Sequence, residues 1–329
     1  MSMTQDAPLL ETAGLTRHFR IGGLFSQRKL HAVDDLDLAI RPREILAVVG
    51  ESGSGKSTIA RLLAKVYEPT AGQIRFRGRP VSSIRARRDL LAYRGAVPMV
   101  LQDPFASLNP VHTIGYVLER GLILHQPGLT AAEREAEAVR VLEAVGLSPA
   151  RQVLAKYPHE MSGGQRQRIG FAQALSYKPS LVLADEPVSM LDVSIRIGVL
   201  NLMAQLCAEE GISFLYITHD IASARYVAHR ILVMYAGRAV ETGPTEAVLR
   251  EPAHPYTRLL LSAVPDPRAP ITLSAADTGE PPRVVDPGEG CRFRQRCPLA
   301  IARCAEVTPP LAELAAGHAA ACHVTAPAG

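Results

Sequence analysis

The sequence predicts an α/β fold: a core with a mainly parallel sheet, an antiparallel β subdomain and a helical subdomain, followed by a small C-terminal cysteine-rich extension. Short apolar runs alternate with longer helical patterns between residues 45 and 236, which is typical of a mainly parallel sheet. Polar and apolar residues alternate on either side of the first predicted helix, as in antiparallel strands. Four of the five cysteines lie within the last forty residues.

The core strands are predicted from apolar runs of six to eight residues. These runs cover residues 45–50, 97–102, 180–185, 212–218 and 230–237. Residues 31–40 and 70–78 alternate polar and apolar side chains and are associated with glycine turns, which favours antiparallel strands. The chain is therefore expected to contain two kinds of sheet.

The helical subdomain is predicted over about residues 103–178, between two core strands. Its clearest helix covers residues 130–146, where apolar residues share one face. These residues are Ala132, Ala136, Val139, Leu142 and Val145. The main domain is expected to cover residues 8–250, with a linker or extension over 251–290 and a separate cysteine segment over 291–329.

Composition excludes several classes of protein. With 329 residues, 47% apolar and 21% charged, the chain can bury a sizeable core. The first residues do not resemble a secretory signal, and no apolar run approaches the roughly eighteen residues of a membrane span. A net charge of +4 creates no overall demand for nucleic acid or anionic lipid. We therefore expect reduced thiols, which more often bind metal than form disulfides.

The most specific motif is "GESGSGKST" at residues 50–58, the phosphate loop, between a predicted strand and a predicted helix. Its members are Gly50, Glu51, Ser52, Gly53, Ser54, Gly55, Lys56, Ser57 and Thr58. Glycines let backbone amides surround a phosphate, and the helix N-terminus adds partial positive charge. We expect Lys56 to reach the outer phosphates of a nucleotide and Ser57 to hold magnesium.

Two carboxylates end the buried strand "LVLADEP". Ligands of open α/β sheets bind at the carboxyl edge of the strands, so Asp185 and Glu186 are expected beside the phosphate loop. Asp185 suits the magnesium shell, whereas Glu186 is placed to orient or deprotonate an attacking water.

Two further motifs are "MSGGQRQR" at residues 161–168 and "ITHD" at residues 217–220. Ser162, Gly163, Gly164 and Gln165 could form a second anion cradle or a simple helix cap. One chain has no use for two cradles on one γ-phosphate, so the second would serve the nucleotide of a partner. His219 could be a core histidine or could contact the γ-phosphate.

Residues 10–250 resemble the ATP-binding-cassette (ABC) ATPases, because six motifs occur in the order found there: the phosphate loop, "LQDP", "MSGGQ", "LADEP", "SMLD" and "ITHD". The resemblance implies a P-loop (RecA-like) ABC ATPase core. The resemblance implies that Gln102 touches magnesium and senses a membrane partner, and that Asp192 lies between two ATP sites. It also implies that Phe19 stacks on adenine. Two cassettes would pair head to tail, each ATP lying between one phosphate loop and the opposite Ser162 segment (residues 162–165).

Four stretches resemble the importer branch for dipeptides and oligopeptides, which also handles some oligosaccharides and nickel. They are "QDPFASLNP", "YPHEMSGGQRQR", "DEPVSMLDVS" and "EPAHPYTRLLLSAVP". The branch implies a second ATPase chain of different sequence, two membrane permease subunits and an extracytoplasmic substrate-binding protein. The chain would then lie peripherally on the cytoplasmic face of the inner membrane.

The cysteine tail (residues 291–329) holds four thiols in the pattern C-x5-C-x6-C-x17-C: Cys291, Cys297, Cys304 and Cys322. Four thiolates saturate either a cubane iron–sulfur cluster or a tetrahedral zinc, and the spacing does not separate the two. The branch resemblance implies a structural [4Fe-4S] cluster, with zinc or no metal as alternatives. Cys207 is expected to be a small buried residue.

Arginine clusters at "RFRGR" and "IRARR" leave open a different class, a cassette protein that acts on nucleic acid. Such proteins usually fuse two cassettes or insert coiled coils, and this sequence has neither. We therefore expect no nucleic-acid partner. A regulatory cassette with a dead site is disfavoured because every catalytic position is filled.

Overall fold

The protein is described here by a computed structural model that covers residues 7–22, 27–103, 108–263 and 284–326. Part of the segment after Gln102, the middle of the expected linker (residues 264–283) and the last three residues of the cysteine tail lie outside this description.

The strands, in chain order, are β1 (Leu10–Arg20), β2 (Lys29–Ile40), β3 (Ile45–Val49), β4 (Ala71–Phe76), β5 (Arg79–Pro80), β6 (Met99–Val100), β7 (Leu181–Asp185), β8 (Ser213–Thr218), β9 (Arg230–Tyr235), β10 (Arg238–Pro244), β11 (Ala312–Ala315) and β12 (His318–Ala320). The α-helices are α1 (Lys56–Leu63), α2 (Arg87–Ala96), α3 (Ile114–His125), α4 (Ala131–Ala144), α5 (Ala150–Ala155), α6 (Gly163–Leu175), α7 (Val193–Glu209), α8 (Ile221–Val227), α9 (Thr245–Arg250), α10 (Pro255–Ser262) and α11 (Arg303–Glu306).

The central sheet confirms the predicted parallel core. Its order is β11-β12-β10-β9-β3-β8-β7-β6, in which β9 to β6 run parallel. Strands β3, β7 and β8 are buried along their whole length, as expected for continuous apolar runs. Strand β6 has only two residues, shorter than predicted, and pairs on one side only because it lies at the edge. The carboxyl ends of these strands bring the phosphate loop and the two acidic residues together.

A second, antiparallel sheet has the order β2-β1-β4-β5 and confirms the antiparallel subdomain. Apolar residues of β1 and β2 form a core with α1 and one face of the central sheet. Leu15, Leu36 and Ile59 are completely buried there. This packing holds the start of α1 between the two sheets.

The helical subdomain contains α3 to α6, and α4 begins with a capping box between Thr130 and Glu133. The predicted apolar face of α4 is wrong in its first half, because Ala132 and Ala136 are exposed. The buried residues are Ala138, Val141 and Leu142, followed by Val145 just beyond the helix. The buried residues of α4 thus lie in its C-terminal half, whereas its first half contacts α3 through the Arg134–Glu119 ion pair.

The cysteine tail extends the central sheet. Strand β12 pairs with β10, with Glu241 opposite Ala320 and Thr242 opposite Ala319. The segment that precedes the tail joins β2, because His31 N–H donates to the Val284 carbonyl at 2.8 Å. The C-terminal region therefore makes backbone contacts with strands of both sheets. Within the described ranges, no helix is long and apolar enough to cross a bilayer.

Candidate nucleotide-binding site

The phosphate loop lies between β3 and the first turn of α1. Gly50 and Gly55 have φ angles of 154° and 104°, which glycine adopts easily. A Cβ atom at Gly50 would lie 2.2 Å from the Met234 carbonyl oxygen, and one at Gly55 would lie 2.0 Å from the Ala32 carbonyl oxygen. Both positions therefore require glycine for backbone conformation and for close approach to neighbouring backbone.

Lys56 is buried, and its Nζ donates to the carbonyl oxygens of Gly50 at 2.7 Å and Glu51 at 2.8 Å. Burial lowers the pKa of this ammonium group, while the carboxylates of Glu186, Asp185 and Glu51 act in the opposite direction. The loop thus holds the Lys56 ammonium group against backbone carbonyls, where the phosphates of a bound nucleotide could pair with it.

Ser57 and Asp185 meet, as the sequence predicts. Ser57 Oγ donates to Asp185 Oδ1 at 2.9 Å across 128 residues of sequence. Burial raises the pKa of Asp185, and the Ser57 hydrogen bond partly opposes this shift. A hydroxyl and a carboxylate oxygen side by side are ligands that suit Mg²⁺.

Glu186 follows β7 and has a φ angle of 48°, in the left-handed region that few non-glycine residues adopt. Its backbone N–H donates to the Ile217 carbonyl at 2.9 Å, which ties the strained residue to β8. Such strain is commonly found where a side chain must be aimed at a reaction centre.

Two predicted residues converge on the Glu186 carboxylate. Gln102 Nε2 donates to Glu186 Oε2 at 3.2 Å, and His219 Nδ1 lies 3.3 Å from the same oxygen. The His219 side chain is 58% exposed, so it is not a buried core histidine. The sheet edge therefore collects one carboxylate, one amide and one imidazole around a single point.

The Ser162 segment begins α6 and forms a capping box. Ser162 Oγ accepts from Gln165 N–H at 3.3 Å, and Gln165 Oε1 accepts from Ser162 N–H at 3.0 Å. A Cβ atom at Gly164 would lie 2.3 Å from Cγ2 of Ile195 on α7, whereas one at Gly163 would make only ordinary contact. The helix cap and this packing explain part of the motif without a ligand.

Two other predicted residues lie apart from the phosphate loop. Asp192 is exposed at the N-cap of α7, and its side chain makes no capping bond there. Phe19 is half-buried near the end of β1, with its ring edge-on to Tyr67 at 5.4 Å and the Arg17 guanidinium 4.5 Å from its centroid. Sequence reasoning missed Tyr67 and Arg17, which no motif marks.

The four tail cysteines are free thiols, of which Cys304 and Cys322 are buried. Burial raises the pKa of Cys291 and Cys297, and the neighbouring tail thiols add to the shift. Backbone N–H groups of Phe293, Leu299 and Thr325 point at three of the sulfurs. Among the described residues, no three of these sulfurs lie within 4.8 Å of one another. The tail thiols are near neighbours without being tightly packed. Cys207 is buried on α7, as predicted.

His18, His31 and Asp34 form a cluster that the sequence did not reveal. The two imidazoles stack at 3.7 Å, and each lies 3.1 Å from an Asp34 oxygen. Burial raises the pKa of Asp34, but hydrogen bonds from both histidines and the charges of Arg292 and Arg238 hold it well below its usual value. Because two guanidiniums already neutralise Asp34, the cluster is a poor site for a metal cation.

The described chain resembles known proteins over almost its whole length. The profile of the ABC transporter family matches residues 33–189, and that of the oligopeptide/dipeptide transporter C-terminal region matches residues 240–304. The probable peptide ABC transporter ATP-binding protein y4tS of Sinorhizobium fredii is 44% identical over 325 residues, covering 97% of this chain and 91% of that protein. The oligopeptide transport ATP-binding protein AppF of Bacillus subtilis is 40% identical over 331 residues, covering 98% and 99%.

Solved structures agree on the fold. The dimeric structure of MJ0796, a bacterial ABC transporter cassette, is similar with a TM-score of 0.63 and 25% identity, covering 72% of this chain and 98% of that one. A structure of MJ0796 bound to ADP and phosphate gives the same score. The predicted fold class is confirmed. With relatives above 40% identity along nearly the full chain, the protein belongs to the ATP-binding proteins of ABC transporters, in the branch that carries the oligopeptide/dipeptide C-terminal region.

Proposed function

We propose that the chain hydrolyses ATP to power the import of dipeptides or oligopeptides through membrane permease subunits. One observation carries the proposal: a complete phosphate site and an oligopeptide/dipeptide C-terminal region occur in one chain, in the order that its relatives named for peptide transport share. ATP is the substrate that suits a loop of inward amides with Lys56 behind it.

The residues at the sheet edge divide the work of hydrolysis. Glu186 orients and deprotonates the attacking water, and His219 contacts the γ-phosphate beside it. Lys56 neutralises the outer phosphates. Ser57, Asp185 and Gln102 would hold Mg²⁺, which supplies positive charge to the phosphate oxygens when bound. Phe19 stacks on the adenine ring.

Closure of two cassettes completes each site. Ser162, Gly163, Gly164 and Gln165 act on the nucleotide held by the partner, and Asp192 lies in the segment between the two sites. Charge-assisted contacts to the γ-phosphate favour the closed pair, and their loss after hydrolysis reopens it. The Ser162 helix N-terminus suits this role because it presents backbone amides towards an anion.

The partners follow from the importer assignment. The chain pairs with a second ATPase of different sequence and docks on two membrane permease subunits. An extracytoplasmic substrate-binding protein delivers the peptide to those subunits. It therefore lies peripherally on the cytoplasmic face of the inner membrane, with no nucleic-acid partner. The Gln102 loop transmits opening and closing of the cassettes to the permease helices.

The cysteine tail holds a [4Fe-4S] cluster in this proposal, with zinc as the alternative. Four sulfurs around one zinc ion lie about 3.8 Å apart, given Zn–S bonds of about 2.3 Å. A cubane needs four thiolates that each bind a different iron, and the four tail cysteines supply that number. Backbone N–H groups aimed at the sulfurs also suit thiolate ligands. When bound, the cluster would cross-link a segment that has little core of its own.

Anaerobic purification followed by iron, sulfide and zinc analysis tests the cluster. About four irons and four sulfides per chain, with a brown colour, are expected for a cubane. A colourless protein free of iron would exclude it.

Transport assays test the function itself. The chain would be co-expressed with permease and binding-protein chains from the same source, and ATP-dependent uptake of labelled dipeptides would be measured in membrane vesicles. We expect uptake with the wild-type chain and none with Lys56→Ala, which weakens nucleotide binding and removes turnover. Uptake of oligosaccharide or nickel in place of peptide would contradict the proposed cargo while leaving the ATPase assignment intact.

A further inference from the structure

Glu51, the second residue of the phosphate loop, bonds to the C-terminal region through both its backbone and its side chain. Glu51 N–H donates to the hydroxyl of Tyr256 at 2.9 Å, and Tyr256 is completely buried on α10. The Glu51 carboxylate accepts from Arg296 of the cysteine tail, with Nη1 at 2.9 Å and Nη2 at 3.0 Å. Tyr256 and Arg296 both lie in residues 240–304, the region that defines the branch.

The surroundings of the Glu51–Arg296 ion pair restrict both side chains. The pair is bidentate, and the side chains of Arg296 and Glu51 are only 13% and 23% exposed. The Arg296 guanidinium lies 5.6 Å from the Tyr235 ring and 5.9 Å from the Phe293 ring. Planar guanidinium groups in such surroundings orient a carboxylate more strictly than a surface pair can.

A carboxylate in the phosphate loop poses an electrostatic problem. The loop must bind a polyanion, and Glu51 is next to its cation, because Lys56 Nζ donates to the Glu51 backbone carbonyl at 2.8 Å. An unpaired Glu51 would repel the phosphates and compete for Lys56. Arg296 removes that repulsion by neutralising the carboxylate and turning it towards the tail.

A second tail arginine makes a similar contact on the adenine side. Arg292 bonds to Asp34 and to the Ala236 carbonyl, and Asp34 in turn bonds to His18, the neighbour of Phe19. The tail therefore contacts the phosphate loop at Glu51 and, through Asp34 and His18, the strand segment next to Phe19.

We propose that Arg296 is a positioning residue for the phosphate loop, so that the folded cysteine tail sets the affinity of this chain for ATP. The inference rests on the proposed ATP site and adds the tail to it. Because Arg296 directly precedes Cys297, whatever holds that cysteine also holds the guanidinium that neutralises Glu51.

The test measures binding of a fluorescent ATP analogue, with Mg²⁺, to the purified full-length chain. Arg296→Ala should raise the Kd about 5-fold or more, the lower end of typical coupling between sites. The Michaelis constant for ATP should rise more than kcat falls. Arg303→Ala is the matched control, because Arg303 is an exposed arginine that directly precedes Cys304 in the same tail. Its Kd should equal that of the wild type.

A double variant separates positioning from simple loss of folding. Glu51→Gln in the Arg296→Ala background removes the orphaned charge, so it should recover most of the lost affinity, whereas a misfolded chain would not recover. Arg296→Lys keeps the positive charge but loses the planar bidentate guanidinium, so its Kd should lie between those of the wild type and Arg296→Ala. Equal Kd values for Arg296→Ala and Arg303→Ala, or no recovery in the double variant, would overturn the inference. Failure of the wild-type chain to bind the analogue would instead contradict the ATP site itself.

Discussion

The phosphate loop and the Ser162 segment both place glycines at the start of a helix, but their helix ends are completed differently. At α1 the N-cap is Gly55, and no side chain caps the helix. Its first residues instead contact distant elements, as Ser57 does with Asp185. At α6 the Ser162 hydroxyl accepts from the Gln165 backbone N–H, and the Gln165 side-chain oxygen accepts from the Ser162 backbone N–H, within one turn.

The two helix starts therefore differ in what the chain itself supplies to them. The phosphate loop brings Lys56 and Ser57 of α1 to Asp185 at the end of β7, with Glu186 next in sequence, so one chain supplies this half of the proposed site. The side-chain hydrogen bonds of the Ser162 segment close within its own turn, and its two glycines face Leu191 and Ile195. A helix N-terminus capped by its own side chains can still bind an anion, but the anion must be brought to it by another molecule. If two cassettes pair head to tail, that molecule is a second cassette carrying its own ATP.

The largest effect is expected from Glu186→Gln. The amide keeps the size of the side chain and cannot accept a proton, so hydrolysis should fall roughly 10²-fold or more. ATP binding should persist, because Lys56 and the loop glycines are unchanged, and ATP should trap a dimer. Phosphate release and size-exclusion chromatography with ATP measure the two effects. Glu143→Gln, at an exposed carboxylate on α4, is the control. Normal hydrolysis by Glu186→Gln would show that another group acts as the base.

Ser162→Asp sharpens the comparison, because aspartate caps a helix as well as serine does. The substitution should leave the stability of the isolated chain almost unchanged. It also places a negative charge where the γ-phosphate of the partner would lie, so ATP-dependent pairing should weaken about 10-fold or more. The measurement is ATP-induced dimerisation in the Glu186→Gln background, with the single-chain affinity for ATP as the internal control. Undiminished pairing would mean that the Ser162 segment is only a cap.

Sequence reasoning succeeded where chemistry and topology are local. The phosphate loop is one continuous motif, and parallel strands end at the same edge, so the meeting of Ser57 with Asp185 could be predicted. Gln102 and His219 also follow strands of this sheet, which explains why both reach Glu186. These contacts depend on strand order and little else.

The contacts of the tail could not be predicted in the same way. Arg296 and Glu51 are 245 residues apart, and no periodicity or spacing links them. Strand β12 is only three residues long, too short for its pairing with β10 to be recognised from alternation. The face of α4 was wrong for a related reason, since burial depends on how far the helix projects beyond its neighbours. Such features follow from tertiary packing, which a single sequence does not display.

The smallest effect distinguishes the two glycines of the Ser162 segment. Alanine at Gly164 would place its Cβ 2.3 Å from Cγ2 of Ile195, whereas alanine at Gly163 would meet only Leu191 at 3.7 Å. Gly164→Ala should therefore destabilise the isolated chain by about 1 to 2 kcal/mol through overpacking, although alanine favours the helix itself. Gly163→Ala should be neutral or slightly stabilising. Urea unfolding of the two variants measures the difference, and Ile195→Ala should relieve the strain of Gly164→Ala by removing the clashing methyl group. Equal stability of the two glycine variants would mean that Gly164 is not required for packing, and an anion cradle would then have to account for both glycines.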